Sequence, residues 1–128
     1  MDRDLIFWPI AVHLSLLIFL YGWLSLVRWQ QRAGKPVAAL EERISDNLSN
    51  QFEAPLLFYV IVALLWVENM VSTADIAMAW TFAVGRLLHT SVHTLTSTVL
   101  MRGGVFTINF LAIYALWGWF LFRIWQLG

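Results

Sequence analysis

Residues 5–27, 52–67, 76–100 and 105–122 form four apolar runs with hardly a charge in them, and each approaches the ~20 residues a helix needs to cross the hydrocarbon of a bilayer. That feature excludes a water-soluble fold. With 60% hydrophobic and 12% charged residues, the chain has too little polar surface to cover four such runs. The runs are apolar nearly all round, which removes a soluble helical hairpin, and they lack period-2 alternation, which removes a membrane β-barrel. The expected architecture is an all-α integral membrane four-helix bundle, one domain over 1–128, with helices at about 5–27, 37–69, 75–100 and 105–125.

The first run opens on Asp2, Arg3 and Asp4. It has no basic leader and no small-residue cleavage site, so it is expected to stay in the mature protein. With four spans, Arg28, Arg32, Lys35 and Arg43 in the first loop share a side with Arg102 in the third, against Arg3 and Arg123 on the other. The excess of basic residues makes the first and third loops cytoplasmic, and the expected location is a bacterial inner membrane. Pro36 suits a first helical position, and no breaker follows until Pro55. The second helix is therefore expected to project into the cytoplasm and to be interrupted near Pro55.

The eight basic and eight acidic side chains cancel, so no patch exists to hold DNA or RNA. Without cysteine there is no thiolate metal site, no iron–sulfur cluster and no protein thiol nucleophile. His89 and His93 have no forced third ligand for a metal, and two histidines on one helix face cannot clamp both faces of a haem.

Polar side chains inside membrane helices are costly, so each asks for a partner or a task. Asp46, Asn50 and Glu53 are spaced by four and three, which puts them on one helix face. Arg86, His89 and His93 are spaced by three and four, and the stripe runs on through Thr96 and Ser97 to Arg102. Both stripes approach the same leaflet, so a shared pocket is expected there. Structural roles stay open for every one of them: Glu53 as a headgroup-level carboxylate or a partner of Arg86, Arg86 and the histidines as interhelical hydrogen-bonders, and Arg102 as a positive-inside loop residue. His13 and Tyr59 carry no signal of their own.

The segment Glu42-Arg43 followed by Asn50-Gln51-Phe52-Glu53-Ala54-Pro55-Leu56-Leu57-Phe58, and the stretch Arg86-Leu87-Leu88-His89-Thr90 with His93 and Arg102, resemble the MAPEG family. These are the membrane-associated proteins in eicosanoid and glutathione metabolism, microsomal glutathione transferases among them. The resemblance covers nearly the whole chain. It implies a four-helix bundle packed as a homotrimer, with glutathione as co-substrate between subunits near the cytoplasmic face. The implied reaction adds the glutathione thiolate to an apolar electrophile or reduces a lipid hydroperoxide. By position, Asn50 hydrogen-bonds the peptide, Glu53 receives the γ-glutamyl ammonium and Arg102 stabilises the thiolate. Arg28 or Arg32 corresponds to an arginine that reaches a glutathione carboxylate.

Two departures bear on activity. Asp46 stands where the family usually has an arginine that clamps glutathione, and His93 stands where the transferases have a tyrosine. Asn47 and Leu48 also leave the usual pattern. A non-catalytic scaffold or accessory subunit of a larger membrane complex, keeping the bundle without the site, is therefore the rival expectation. A small multidrug transporter ranks last, because the first run lacks the buried glutamate those proteins share.

Overall fold

A computed structural model of the chain describes residues 2–96 and 99–128. A 3-10 turn, Arg3–Ile6, leads into α1, Phe7–Arg32. Then follow α2, Ala38–Asn50, α3, Ala54–Val67, α4, Thr73–Leu95, and α5, Val99–Leu127. Since α2 and α3 continue one another across a three-residue break, the chain makes four rods, and no strand occurs among the described residues. Three stretches, Arg3–Arg32, Ala38–Val67 and Leu100–Leu127, are long and apolar enough to cross a membrane. The fourth rod, α4, has 23 residues and reaches ~34 Å at 1.5 Å per residue, enough to span. It carries the polar stripe. This is a membrane protein built as a helical bundle.

Four local expectations are revised. Pro36 lies outside the second helix: Val37 caps it and Ala38 is its first residue. The interruption near Pro55 is a full break. Gln51 and Phe52 bond back only three residues, to the Leu48 and Ser49 carbonyls, and Pro55, in the first turn of α3, has no N–H to offer the preceding turn. α4 stops at Leu95, where Thr96 turns extended at φ −131° and ψ 165°. Finally, α5 begins at Val99, so Arg102, Gly103 and Gly104 are helical rather than looped. Packing of α5 along α4 outweighs the helix cost of two glycines, about 1 kcal/mol each. Ser97, the continuation of the α4 stripe, lies outside the described residues.

Two apolar clusters hold the rods together. At the end formed by the start of α1, Ile6, Phe58, Ile61, Val62, Leu65, Phe82, Ile113 and Leu116 are buried against one another. At the other end, Leu16, Leu20, Leu24 and Val27 of α1 pack on Ile44 and Leu48 of α2. The outer faces are apolar too: Ile18, Phe19, Leu111 and Leu121 are exposed, as lipid-facing side chains should be. The first end is pinned by polar contacts at its rim. Asp75 forms a capping box with Ser72 and takes two bonds of 2.9 Å from Arg123 Nη2, whose Nη1 donates to the Met70 carbonyl at 2.6 Å. Arg3 lies over the Trp66 ring, 4.4 Å from its centroid, and bonds Asn69.

The α4–α5 contact is tight at Gly85, where an added Cβ would fall 2.6 Å from Asn109 Nδ2 and 3.2 Å from its Cγ. Asn109 is buried and donates to the Val105 carbonyl at 3.0 Å, so it has little room to retreat. Gly85→Ala is expected to destabilise the bundle by about 1–3 kcal/mol through overpacking, read as a lower Tm in detergent. Asn109→Ala added to it should return much of the loss. An unchanged Tm in Gly85→Ala would show that the helices are further apart than described.

Candidate functional site

Between the two apolar clusters lies a layer of buried polar side chains. His13 comes from α1, Asn47 from α2, Gln51 from the break after it, and Arg86, His89, Thr90, His93 and Thr94 from α4. Gln51, the residue that caps α2 with helical dihedrals, points its amide inward one turn past Asn47 and sits at the centre of the layer. Its Oε1 accepts from Arg86 Nε at 3.1 Å and lies 2.8 Å from His13 Nε2. Its Nε2 donates to Asn47 Oδ1 at 3.0 Å and to the Asn47 carbonyl at 3.2 Å. Thr90 Oγ1 donates to the same Asn47 oxygen at 3.0 Å. Towards α3, His13 Nδ1 meets the Tyr59 hydroxyl. Along α4, Asn47 Nδ2 lies 3.1 Å from His93 Nδ1 and 3.5 Å from His89 Nδ1.

Arg86 is 1% exposed, and among the described residues it makes no ion pair. The two salt bridges found are Arg28–Glu41 and Arg123–Asp75. Its Nη2 is buried without a hydrogen-bond partner among the described residues. Of the roles open to Arg86, the geometry is that of an interhelical hydrogen-bonder, since Glu53 does not reach it.

The layer ends at a cavity of about 430 Å³ lined by Asp46, Asn50, His89, His93, Arg102, Gly103 and Phe106. It opens at the end where α2, α4 and α5 meet. A larger cleft of about 560 Å³ between α1 and α4, walled by Leu16, Phe19, Trp23 and Leu87, contains no ionisable side chain, so the smaller cavity is where chemistry has its groups. There a guanidinium, a carboxylate, an amide and two imidazoles face one space, with Phe106 as its apolar wall. The His89 ring lies 5.8 Å from Phe106 and 5.6 Å from His93. No group of three or more ligating side chains is placed to hold a metal ion among the described residues.

The sequence-derived candidates divide. Asn50, His93 and Arg102 come together in the cavity. Glu53 does not: it is exposed on the surface of the chain, because the break rotates it off the face of Asp46 and Asn50. Arg28 lies on the other side of α2, paired with Glu41 at 3.0 Å, and Arg32 is exposed at the end of α1. Asn47 and Gln51 were not singled out from the sequence as members of the polar layer. Their signal was there: an i, i+4 pair of amides flanked by Ile44 and Leu48, the apolar positions that mark the inward face of α2.

The sequence model of the MAPEG family matches residues 6–122. No curated protein and no solved structure matches the chain. The family match runs from the start of α1 to near the end of α5 and includes every residue of the polar layer and of the cavity: the chain belongs to the MAPEG family.

Proposed function

We propose that this protein binds glutathione in the cavity between α2, α4 and α5 and acts as a membrane-bound glutathione transferase or peroxidase on apolar electrophiles or lipid hydroperoxides. Membership of the family supports a glutathione-related role in the membrane. The observation that carries the finer reading is the meeting of Asp46 and Arg102, opposite in charge, with Asn50 and two histidines in one cavity. Glutathione presents an ammonium, amides and a thiol that find complements among these residues, while its two carboxylates need cations from outside this cavity.

Arg102 is the catalytic residue of this reading. It stands in the first turn of α5, where the helix dipole adds positive potential to its own charge, and together they favour thiolate over thiol. The thiolate then attacks the electrophilic carbon and expels its leaving group, or attacks the distal hydroperoxide oxygen and breaks the O–O bond. In the second case the released alkoxide takes a proton to give the alcohol, and the glutathione sulfenic acid left behind is converted by a second glutathione to the disulfide and water. The bilayer supplies the apolar partner. Asn50 holds the peptide and His93 donates to the sulfur. Asp46, the carboxylate that shares the cavity, receives the γ-glutamyl ammonium. Arg28, Arg32 and Glu53 stand on the protomer surface and bind glutathione only if a neighbouring copy brings them to its cavity, which is the part a homotrimer plays in the proposal. The site then faces the cytoplasm from a bacterial inner membrane.

The rival, a scaffold or accessory subunit, has Asp46 in its favour, because a carboxylate in place of the family's arginine repels the carboxylates of glutathione. The sign of one substitution separates the two. If Asp46 receives the ammonium, Asp46→Asn weakens glutathione binding about tenfold or more, the worth of a hydrogen bond to a charged group. Tighter binding by Asp46→Asn, measured by calorimetry, would support repulsion and the scaffold.

Arg102→Ala is expected to leave bound glutathione largely as the thiol at neutral pH, lowering kcat roughly a hundredfold or more, as for loss of an aimed charge-stabilising donor. An unchanged ultraviolet thiolate signal would remove Arg102 from the chemistry.

A further inference from the structure

The hydrogen bonds around Gln51 have a direction, and Arg86 sets it. A guanidinium can only donate, so the oxygen of Gln51, and not its NH2, faces Arg86 Nε at 3.1 Å. His13 Nε2, 2.8 Å from the same oxygen, is then the protonated nitrogen of its ring, and His13 Nδ1 accepts from the Tyr59 hydroxyl. With its oxygen committed, Gln51 donates through Nε2 to the side-chain oxygen of Asn47 at 3.0 Å, which also accepts from Thr90. Asn47 has only its NH2 left for α4, and its two N–H bonds are directed at Nδ1 of His93, 3.1 Å away, and Nδ1 of His89, 3.5 Å away. Reversing the Asn47 amide would set its NH2 against that of Gln51, donor to donor. A ring nitrogen that accepts carries no proton, so both imidazoles are neutral with the hydrogen on Nε2.

We propose that Arg86 is a positioning residue: acting through Gln51 and Asn47, it holds His93 as a neutral Nε2–H donor at the cavity that Arg102 borders, so that His93 hydrogen-bonds an anion there and is not free to act as a base. That the anion is the glutathione sulfur rests on the function proposed above; the tautomer does not. Arg86 does not line the cavity. In the transferase reaction the thiol proton therefore does not go to His93, because one of its nitrogens is tied to Asn47 and the other is already protonated. His93 supplies the sulfur anion with a donor, as a tyrosine hydroxyl would, while Arg102 supplies the charge.

Long-range proton–nitrogen NMR spectra of histidine-labelled protein in micelles read the tautomer without any ligand, with His93→Gln assigning the signal. The expected result is an unprotonated Nδ1 and a protonated Nε2 on His93. Gln51→Glu keeps the side-chain size and gives Arg86 a carboxylate but has no N–H for Asn47, so the Asn47 amide should turn over and move the proton to His93 Nδ1. A protonated Nδ1 in the unsubstituted protein, or an unchanged tautomer in Gln51→Glu, would overturn the proposal, and the first of these needs no variant to fold. With glutathione and a chlorodinitrobenzene, Gln51→Glu should lower kcat about tenfold while KM for glutathione moves less than about twofold. A raised KM with kcat unchanged would overturn the positioning role. Absence of turnover in the unsubstituted protein would count against the glutathione reading alone, with the tautomer result still standing.

Discussion

A guanidinium buried about halfway along a membrane helix, hydrogen-bonded to a neutral amide, is the constraint on which the rest of this bundle turns. Arginine at the centre of a bilayer costs several kcal/mol even where water or headgroups reach it, and Arg86 is buried with no carboxylate partner among the described residues. Its neutral acceptor is Gln51. Gln51 is in place because it follows Asn47 by one helical turn on the inward face of α2, and its amide joins α1, α2 and α4 in one network. The second rod breaks just after it, where Pro55 removes a backbone donor. An apolar cluster on either side excludes water and keeps that network stiff.

The chemistry proposed for the cavity follows from this stiffness. A flexible imidazole next to an arginine can be a base, a donor or a bystander. An imidazole whose Nδ1 is occupied by Asn47 has one role left. The same network fixes the spacing between α2 and α4, and therefore the distance between Asp46 and Asn50 on one wall and His93 on the other. Arg102 completes the enclosure from α5, whose close approach to α4 at Gly85 sets how far the third wall stands away. The polar layer is thus both the structural solution to a buried charge and the inner boundary of the candidate site.

Much of this was legible in the sequence. Four apolar runs gave four rods and the membrane, and the spacing of Arg86, His89 and His93 placed them on one face of α4, where they are. Arg102 borders the cavity, although its surroundings were misread: Gly103 and Gly104 suggest a loop, and only packing along α4 makes that stretch helical. The phase of α2 was harder to read. Their spacing of four and three drew attention to Asp46, Asn50 and Glu53, whereas the side chains of this segment that hydrogen-bond α4 are the neutral amides Asn47 and Gln51. The break at residues 51–53 resets the helical phase, so Glu53 leaves the face its spacing assigned to it. His13 and Tyr59 gave no sign of pairing because they lie 46 positions apart, on helices whose relative depth periodicity does not supply.

The central claim is that the cavity at the end of the polar layer accepts a small peptide through charges of both signs. The most direct test is calorimetric titration of the unsubstituted, detergent-solubilised protein with glutathione and, separately, with glutathione acetylated on its amine. The account requires saturable binding of glutathione and binding at least about tenfold weaker for the acetylated form, which has lost the group that a carboxylate in the cavity would hold. No heat with either ligand, or equal affinity for both, would contradict it.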